Sequence, residues 1–167
     1  HDYFCSDISE ILKIETLFKQ ITQKNGAIDG LIYAAGIGTA IPFIQSKPEK
    51  IRETFNVNFF GFFESVRQIV KKGRFNPGMR IVGISSCASL RGDKSKAIYS
   101  ASKAAMDAAV RCIAKEVATK GICINTVAPA MTSTELYSRY IEKYGEESKT
   151  NREILERQYL GVASPQE

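Results

Sequence analysis

Apolar positions along this chain follow two rhythms. Short runs rich in β-branched and aromatic residues, near Asp2 to Ser6, Gly30 to Ala35, Arg80 to Ser85 and Ile122 to Val127, read as strands. Between them, apolar residues return every third or fourth position, the period of a helix with one buried face. The alternation predicts parallel βαβ units, and so an α/β fold with a doubly wound parallel sheet.

The first helix is predicted to open near Ser9, to carry Ile11, Ile14, Leu17, Phe18 and Ile21 on its core face, and to stop at Gly26. The second opens with Ser46 and Glu49 in the order of a capping box, holds Pro48 in its first turn and runs to Gly73. Phe55, Phe59, Phe60, Phe62 and Phe63 surround much of its circumference, which leaves a subunit interface and deep burial as two readings. The third runs from about Ala97 to Lys120 and ends at Gly121, with small residues from Ala101 to Ala109 that permit close helix approach. Beyond Pro129 a polar, charged helical region extends from Thr132 to Leu160. Loops at the carboxyl ends of such a sheet surround the ligand, so residues 131–160 are a candidate substrate lid.

With 167 residues, 44% hydrophobic and 25% charged, the composition is that of one globular domain. The formal charge of +5 does not point to nucleic acid, because Lys and Arg are spread over several polar faces without an aromatic-interleaved stripe. No apolar run approaches the roughly 18 residues a membrane helix needs, and His1 opens no signal pattern, so no membrane partner and a cytoplasmic location are expected. Cys5, Cys87, Cys112 and Cys123 form no Cys-x-x-Cys pair and read as small packed hydrophobes, Cys87 included, rather than as metal ligands or disulfides. The single histidine, His1, excludes a Ser-His-Asp triad and a His-ligated zinc site built from these residues alone.

Tyr99 and Lys103 stand four apart within the third predicted helix, so their polar ends share one small volume. A free Tyr hydroxyl has a pKa of about 10, and a fixed cation beside it favours the phenolate. The pair is a candidate general acid/base. By itself the spacing also describes a surface Tyr beside a solvated Lys. Ser85 and Ser86 add weight, because they end the Arg80 to Ser85 strand and lead by a short loop into the helix bearing Tyr99.

Ile84-Ser85-Ser86 followed by Tyr99-Ser100-Ala101-Ser102-Lys103 resembles the short-chain dehydrogenase/reductase family. Asn58-Phe59-Phe60-Gly61 resembles its Asn-x-x-Gly, Ser6-Asp7-Ile8 its Asp-Val element, and Asn125 to Pro129 the approach to its Pro-Gly turn. The resemblance implies a Rossmann-type fold, NAD or NADP as cofactor, a small carbonyl or alcohol as substrate, and a homodimer or homotetramer. It implies that Tyr99 protonates the substrate oxygen, Lys103 lowers the Tyr99 pKa and holds the nicotinamide ribose, Ser86 binds the carbonyl oxygen, and Asn58 holds a relay water. Asp7 and Ile8 would meet adenine. Ala35, Gly36, Pro129 and Thr134 would line the rest of the cofactor.

Two positions depart from the family pattern. Asn-Asn-Ala-Gly appears as Tyr33-Ala34-Ala35-Gly36, and Pro-Gly as Pro129-Ala130. Gly36-x-Gly38 lacks the third glycine of a dinucleotide fingerprint and is given no phosphate role. The family's opening strand and Gly-rich pyrophosphate turn have no counterpart, so the resemblance implies part of one longer dinucleotide-binding domain. Cofactor choice would then rest on a strand outside these residues. Two other classes stay open: a non-catalytic dinucleotide sensor or scaffold, and a hydrolase using Ser86 with Lys103 as base.

Overall fold

The computed structural model describes residues 1–145, 147–156, 158 and 162–164. They form a parallel sheet with flanking helices, a Rossmann-type α/β fold. Strands β1 (Ile28–Tyr33), β2 (Phe75–Ile84) and β3 (Cys123–Val127) lie in that order, with β2 in the centre. Tyr33 pairs with Gly83, and Ile84 with Val127. The Ser85 N–H continues the ladder to the Val127 carbonyl at 2.7 Å. The two serines that follow β2 therefore leave the sheet at its carboxyl edge.

Three of the four expected strands form, and the Asp2 to Ser6 strand does not. A strand exists through hydrogen bonds to a neighbour, and among the described residues none lies beside this segment in the sheet. It runs near α1 (Ile14–Asn25) instead. There Lys24 pairs with Asp2 at 3.1 Å and stands 5.7 Å above the Phe4 ring.

Two of the three expected helix stops hold, and the second predicted helix ends at Ile69, short of Gly73. Gly26 follows α1 and Gly121 follows the turn after α4 (Ala97–Val117), both at positive φ. The second predicted helix departs in two further ways. It begins one residue later than a Ser46 capping box requires, because Lys47 is the N-cap and Pro48 takes the first position, where its missing N–H costs nothing. Ser46 Oγ donates back to the Pro42 carbonyl at 3.4 Å. Nor is the helix uniform: α2 (Pro48–Phe55) passes through a π turn at Asn56–Phe60 into α3 (Gly61–Ile69).

The core lies against one sheet face. Ile14 and Phe18 of α1, Phe62, Val66 and Ile69 of α3, and Met106 and Val110 of α4 meet Tyr33, Met79, Ile81 and Ile124. On the opposite face Ile32 is 72% exposed, as strand alternation requires when its neighbour Tyr33 points inward. The thiols differ from expectation: Cys5, Cys112 and Cys123 are exposed, so only Cys87 is partly packed.

The chain folds as two compact units, 1–128 and 129–167. The second contains α5 (Glu135–Tyr144) and α6 (Lys149–Glu156) and a bridge between Thr132 and Ala163. Gln158 ties it together, its side-chain amide bonding both the N–H and the carbonyl of Met131 at 2.9 and 2.7 Å. Buried Asn151 accepts from the Tyr137 hydroxyl at 3.5 Å. The last residues of the expected lid, including Leu160, lie outside the described residues.

Candidate active site

Helix α4 begins where the loop from β2 returns, placing Tyr99 in its first turn and Lys103 one turn later. Lys103 is 4% exposed, and its ammonium donates to the Ile84 carbonyl, the last of β2, at 2.6 Å. That bond fixes the cation at the carboxyl edge of the sheet. Its Nζ stands 5.9 Å from the centroid of the Tyr99 ring. Ser86 caps the single turn Cys87–Ser89, its Oγ accepting the Ala88 N–H at 3.2 Å.

Asn58 is fully buried in the π turn. Its side-chain amide pairs with the backbone of Ile37 in both directions: Oδ1 accepts the Ile37 N–H at 2.8 Å, and Nδ2 donates to the Ile37 carbonyl at 3.1 Å. Nδ2 also donates to Ser102 Oγ at 3.0 Å, and Ser102 Oγ donates to the Tyr99 carbonyl at 2.8 Å. One network thus joins the β1 loop, the π turn and α4. Gly36 shows how tightly they meet: a Cβ there would stand 3.3 Å from Lys103 Nζ and 3.5 Å from Asn58 Oδ1. A side chain at residue 36 would press on the Lys103 ammonium and touch Asn58.

The electrostatics differ from the expected direction for Tyr99. Burial is the largest influence and pushes its hydroxyl up, with the Ser86 hydroxyl opposing and Cys87 adding to the rise. Lys103 is pushed below the ordinary ammonium range, chiefly by burial, while the Asp107 carboxylate opposes that shift. For Tyr99 desolvation is the larger influence, and the net direction is upward. The phenol is therefore held in its acid form.

Asn58, Ser86, Tyr99, Lys103 and Gly36 gather at one edge of the sheet, with Ala35 packed against the core just before Gly36. Asp7 and Ile8 lie elsewhere in the same unit. The Asp7 carboxylate accepts the N–H and hydroxyl of Ser9 at 2.9 and 2.7 Å, and these bonds hold it below the usual carboxylate range. The Ile8 carbonyl lies 2.9 Å from where a Gly61 Cβ would be. Pro129 and Thr134 belong to the second unit, where Thr134 precedes α5 and its hydroxyl donates to the Thr132 carbonyl at 3.3 Å.

Three contributors lie beyond the residues to which the sequence gives a role in the site. Ser102 links Asn58 to α4. Asp107, one turn beyond Lys103, accepts the Ser85 hydroxyl at 2.9 Å and keeps its other oxygen buried without a partner among the described residues. Tyr33 reaches the π turn. The i,i+4 spacing of Asp107 from Lys103 and the i,i+3 spacing of Ser102 from Tyr99 are the signals that could have found two of them.

A parallel sheet whose central strand leads through Ser85-Ser86 to a helix bearing Tyr-x-x-x-Lys at its carboxyl edge is a Rossmann-type arrangement. The sequence profile described as short chain dehydrogenase matches residues 1–145, and the chain belongs to that family. Carbonyl reductase family member 4 of Danio rerio is 30% identical over 137 residues, covering 82% of this chain and 57% of that protein. Acetoacetyl-CoA reductase of Allochromatium vinosum is 34% identical over 134 residues, covering 80% and 54%. Among solved structures, a 4-hydroxyisoleucine dehydrogenase complexed with NADH superimposes with a TM-score of 0.73 at 27% identity, covering 83% of this chain and 62% of that one. The chain spans about half the length of the two curated relatives.

Proposed function

We propose that this chain supplies the proton-handling half of an NAD(P)-dependent oxidoreductase that interconverts a small carbonyl compound and its alcohol. The supporting observation is the meeting of Tyr99, Lys103, Asn58 and Gly36 at one sheet edge, with the Tyr99 phenol kept protonated by burial. The nicotinamide, when bound, supplies the hydride. In the reductive direction Tyr99 Oη gives its proton to the substrate oxygen, and Ser86 Oγ donates a hydrogen bond to the same oxygen. Lys103, pinned at the Ile84 carbonyl, is placed to hold ribose hydroxyls and to stabilise the phenolate that remains. Asn58 anchors the water through which the proton is restored.

The residues fit the cofactor where the structure describes them. Gly36 leaves the backbone bare beside Lys103, as close approach of a ribose demands. Ala35 extends that wall. Asp7 and Ile8 are assigned to adenine, and Pro129 and Thr134 to the carboxamide. Residues 131–160 are assigned as a substrate lid. Substrate and cofactor, NAD or NADP, are the external partners, in keeping with the names of the relatives and the NADH of the solved dehydrogenase. No helix among the described residues is long and apolar enough to cross a membrane, and we assign the enzyme to the cytoplasm.

The test is an absorbance assay of reduced-nicotinamide consumption by the full-length enzyme against aldehydes, ketones and 3-oxoacyl thioesters. Turnover with at least one carbonyl class is expected. Cofactor binding without turnover across the panel would favour the sensor reading. A Ser-Lys hydrolase is disfavoured because the Ser86 hydroxyl interacts with Tyr99, while Lys103 Nζ is directed to the Ile84 carbonyl.

The aromatic helix bears on assembly. Phe62 is core and Phe59 packs against it, and Phe59 also meets Phe55, Phe60 and Phe63 with centroids 5.4 to 6.4 Å apart. Phe60 and Phe63 remain 45% and 41% exposed. We assign this face to a homodimer or homotetramer interface. Light scattering should give a dimer or tetramer at micromolar concentration, and Phe60→Glu with Phe63→Glu should shift it to monomer. A monomeric parent would refute the assignment.

A further inference from the structure

The π turn at Asn56–Phe60 breaks the regular helical ladder at one place. The Gly61 N–H, which in an α-helix would donate to the Val57 carbonyl, donates to the Asn56 carbonyl. The Val57 carbonyl is left for another donor. Tyr33, the last residue of β1 and 4% exposed, supplies it: its hydroxyl donates to Val57 O at 2.5 Å. The Tyr33 ring is steadied edge-on by Phe62, with centroids 5.5 Å apart and planes at 72°. Burial pushes the phenol far up, so it remains a neutral donor at any working pH. Gly61 makes the approach possible, since a Cβ there would stand 2.5 Å from Tyr33 Oη.

We propose that Tyr33 is a positioning residue for the reaction, its hydroxyl holding open the π turn that aims Asn58 at Ile37 and Ser102. The proposal rests on the reading of Asn58 as the anchor of the proton relay. Closing a π turn into an α turn rotates one half of a helix against the other by about 100°. Phe62, Val66 and Ile69 are held in the core, so the half that would turn is the one bearing Asn58. The Asn58 amide would then leave the Ile37 backbone, and the relay would lose its anchor. Tyr33 stands where the family pattern has an amide side chain, so this coupling between β1 and the relay is a feature of this chain's own residues.

The test compares Tyr33→Phe with the parent in the full-length enzyme, using its best carbonyl substrate. Tyr33→Phe keeps the ring and removes only the donor. The kcat should fall about tenfold, with cofactor Kd within about twofold of parental and an altered pH profile. If Tyr33→Phe lowers the melting temperature, the same comparison made well below the variant's transition keeps the test alive, because a folded variant whose π turn has closed still shows the split. A lower melting temperature with parental kcat, KM and pH profile would show a purely structural role and overturn the proposal. So would a loss of cofactor affinity as large as the loss of kcat. Tyr99→Phe run alongside separates the two readings. If Tyr99→Phe retains turnover, the proton-transfer reading fails; if it is inactive while Tyr33→Phe is parental, only the positioning role fails.

Discussion

Tyr99→Phe in the full-length enzyme should bind its nicotinamide cofactor with near-parental affinity and lose nearly all turnover. The ring stays in place, since packing at the start of α4 does not depend on the hydroxyl, but the proton donor is gone. Loss of a positioned acid/base costs on the order of a hundredfold or more in rate. The pH dependence follows from the upward direction of the Tyr99 shift. Carbonyl reduction needs the phenol, so its rate should hold through neutral pH and fall as pH rises through the Tyr99 pKa. Alcohol oxidation needs the phenolate and should rise over the same range. Stopped-flow hydride transfer from neutral to strongly alkaline pH, with fluorescence titration of cofactor, checks both limbs; near-parental turnover in Tyr99→Phe would overturn the assigned role.

Some of this site is legible in the sequence because its information is local. Tyr99 and Lys103 are four apart on a strongly patterned helix, and Ser85-Ser86 ends a strand that its β-branched run announces. The Asp2 to Ser6 segment has the composition of a strand and does not form one, because a strand is completed by its neighbour and its own residues carry only half of the condition. The π turn is invisible in the sequence for a related reason. Nothing in Asn56–Phe60 alone shifts a hydrogen bond by one residue; the shift depends on Tyr33, brought from β1 by the fold. The direction of the Tyr99 pKa escapes the sequence because spacing gives the proximity of a cation and says nothing of how much water both groups lose.

Lys103→Met should abolish turnover and at the same time make the fold more stable. The Lys103 ammonium is buried and donates to Ile84 O, and a buried cation so sparsely compensated is a cost that function maintains. Its pKa is depressed below the ordinary 10.5, with burial the larger influence and Asp107 opposing. Below the folded-state value both states are protonated and the full penalty applies. Between that value and the unfolded-state value the unfolded chain binds more protons, so stability rises with pH and the penalty fades. Met fills similar volume without the charge, and the substitution leaves only the Ile84 carbonyl at the sheet edge to find a new donor. A net gain of about 1 kcal/mol at neutral pH is expected, an upward shift of roughly 2 to 4 °C in Tm for a chain of this size class. Thermal melts without added cofactor, at neutral pH and near the ordinary lysine pKa of about 10.4, measure it directly: the gain should be larger at neutral pH. A variant less stable than the parent at neutral pH would mean that Lys103 is held by its surroundings more strongly than burial penalises it.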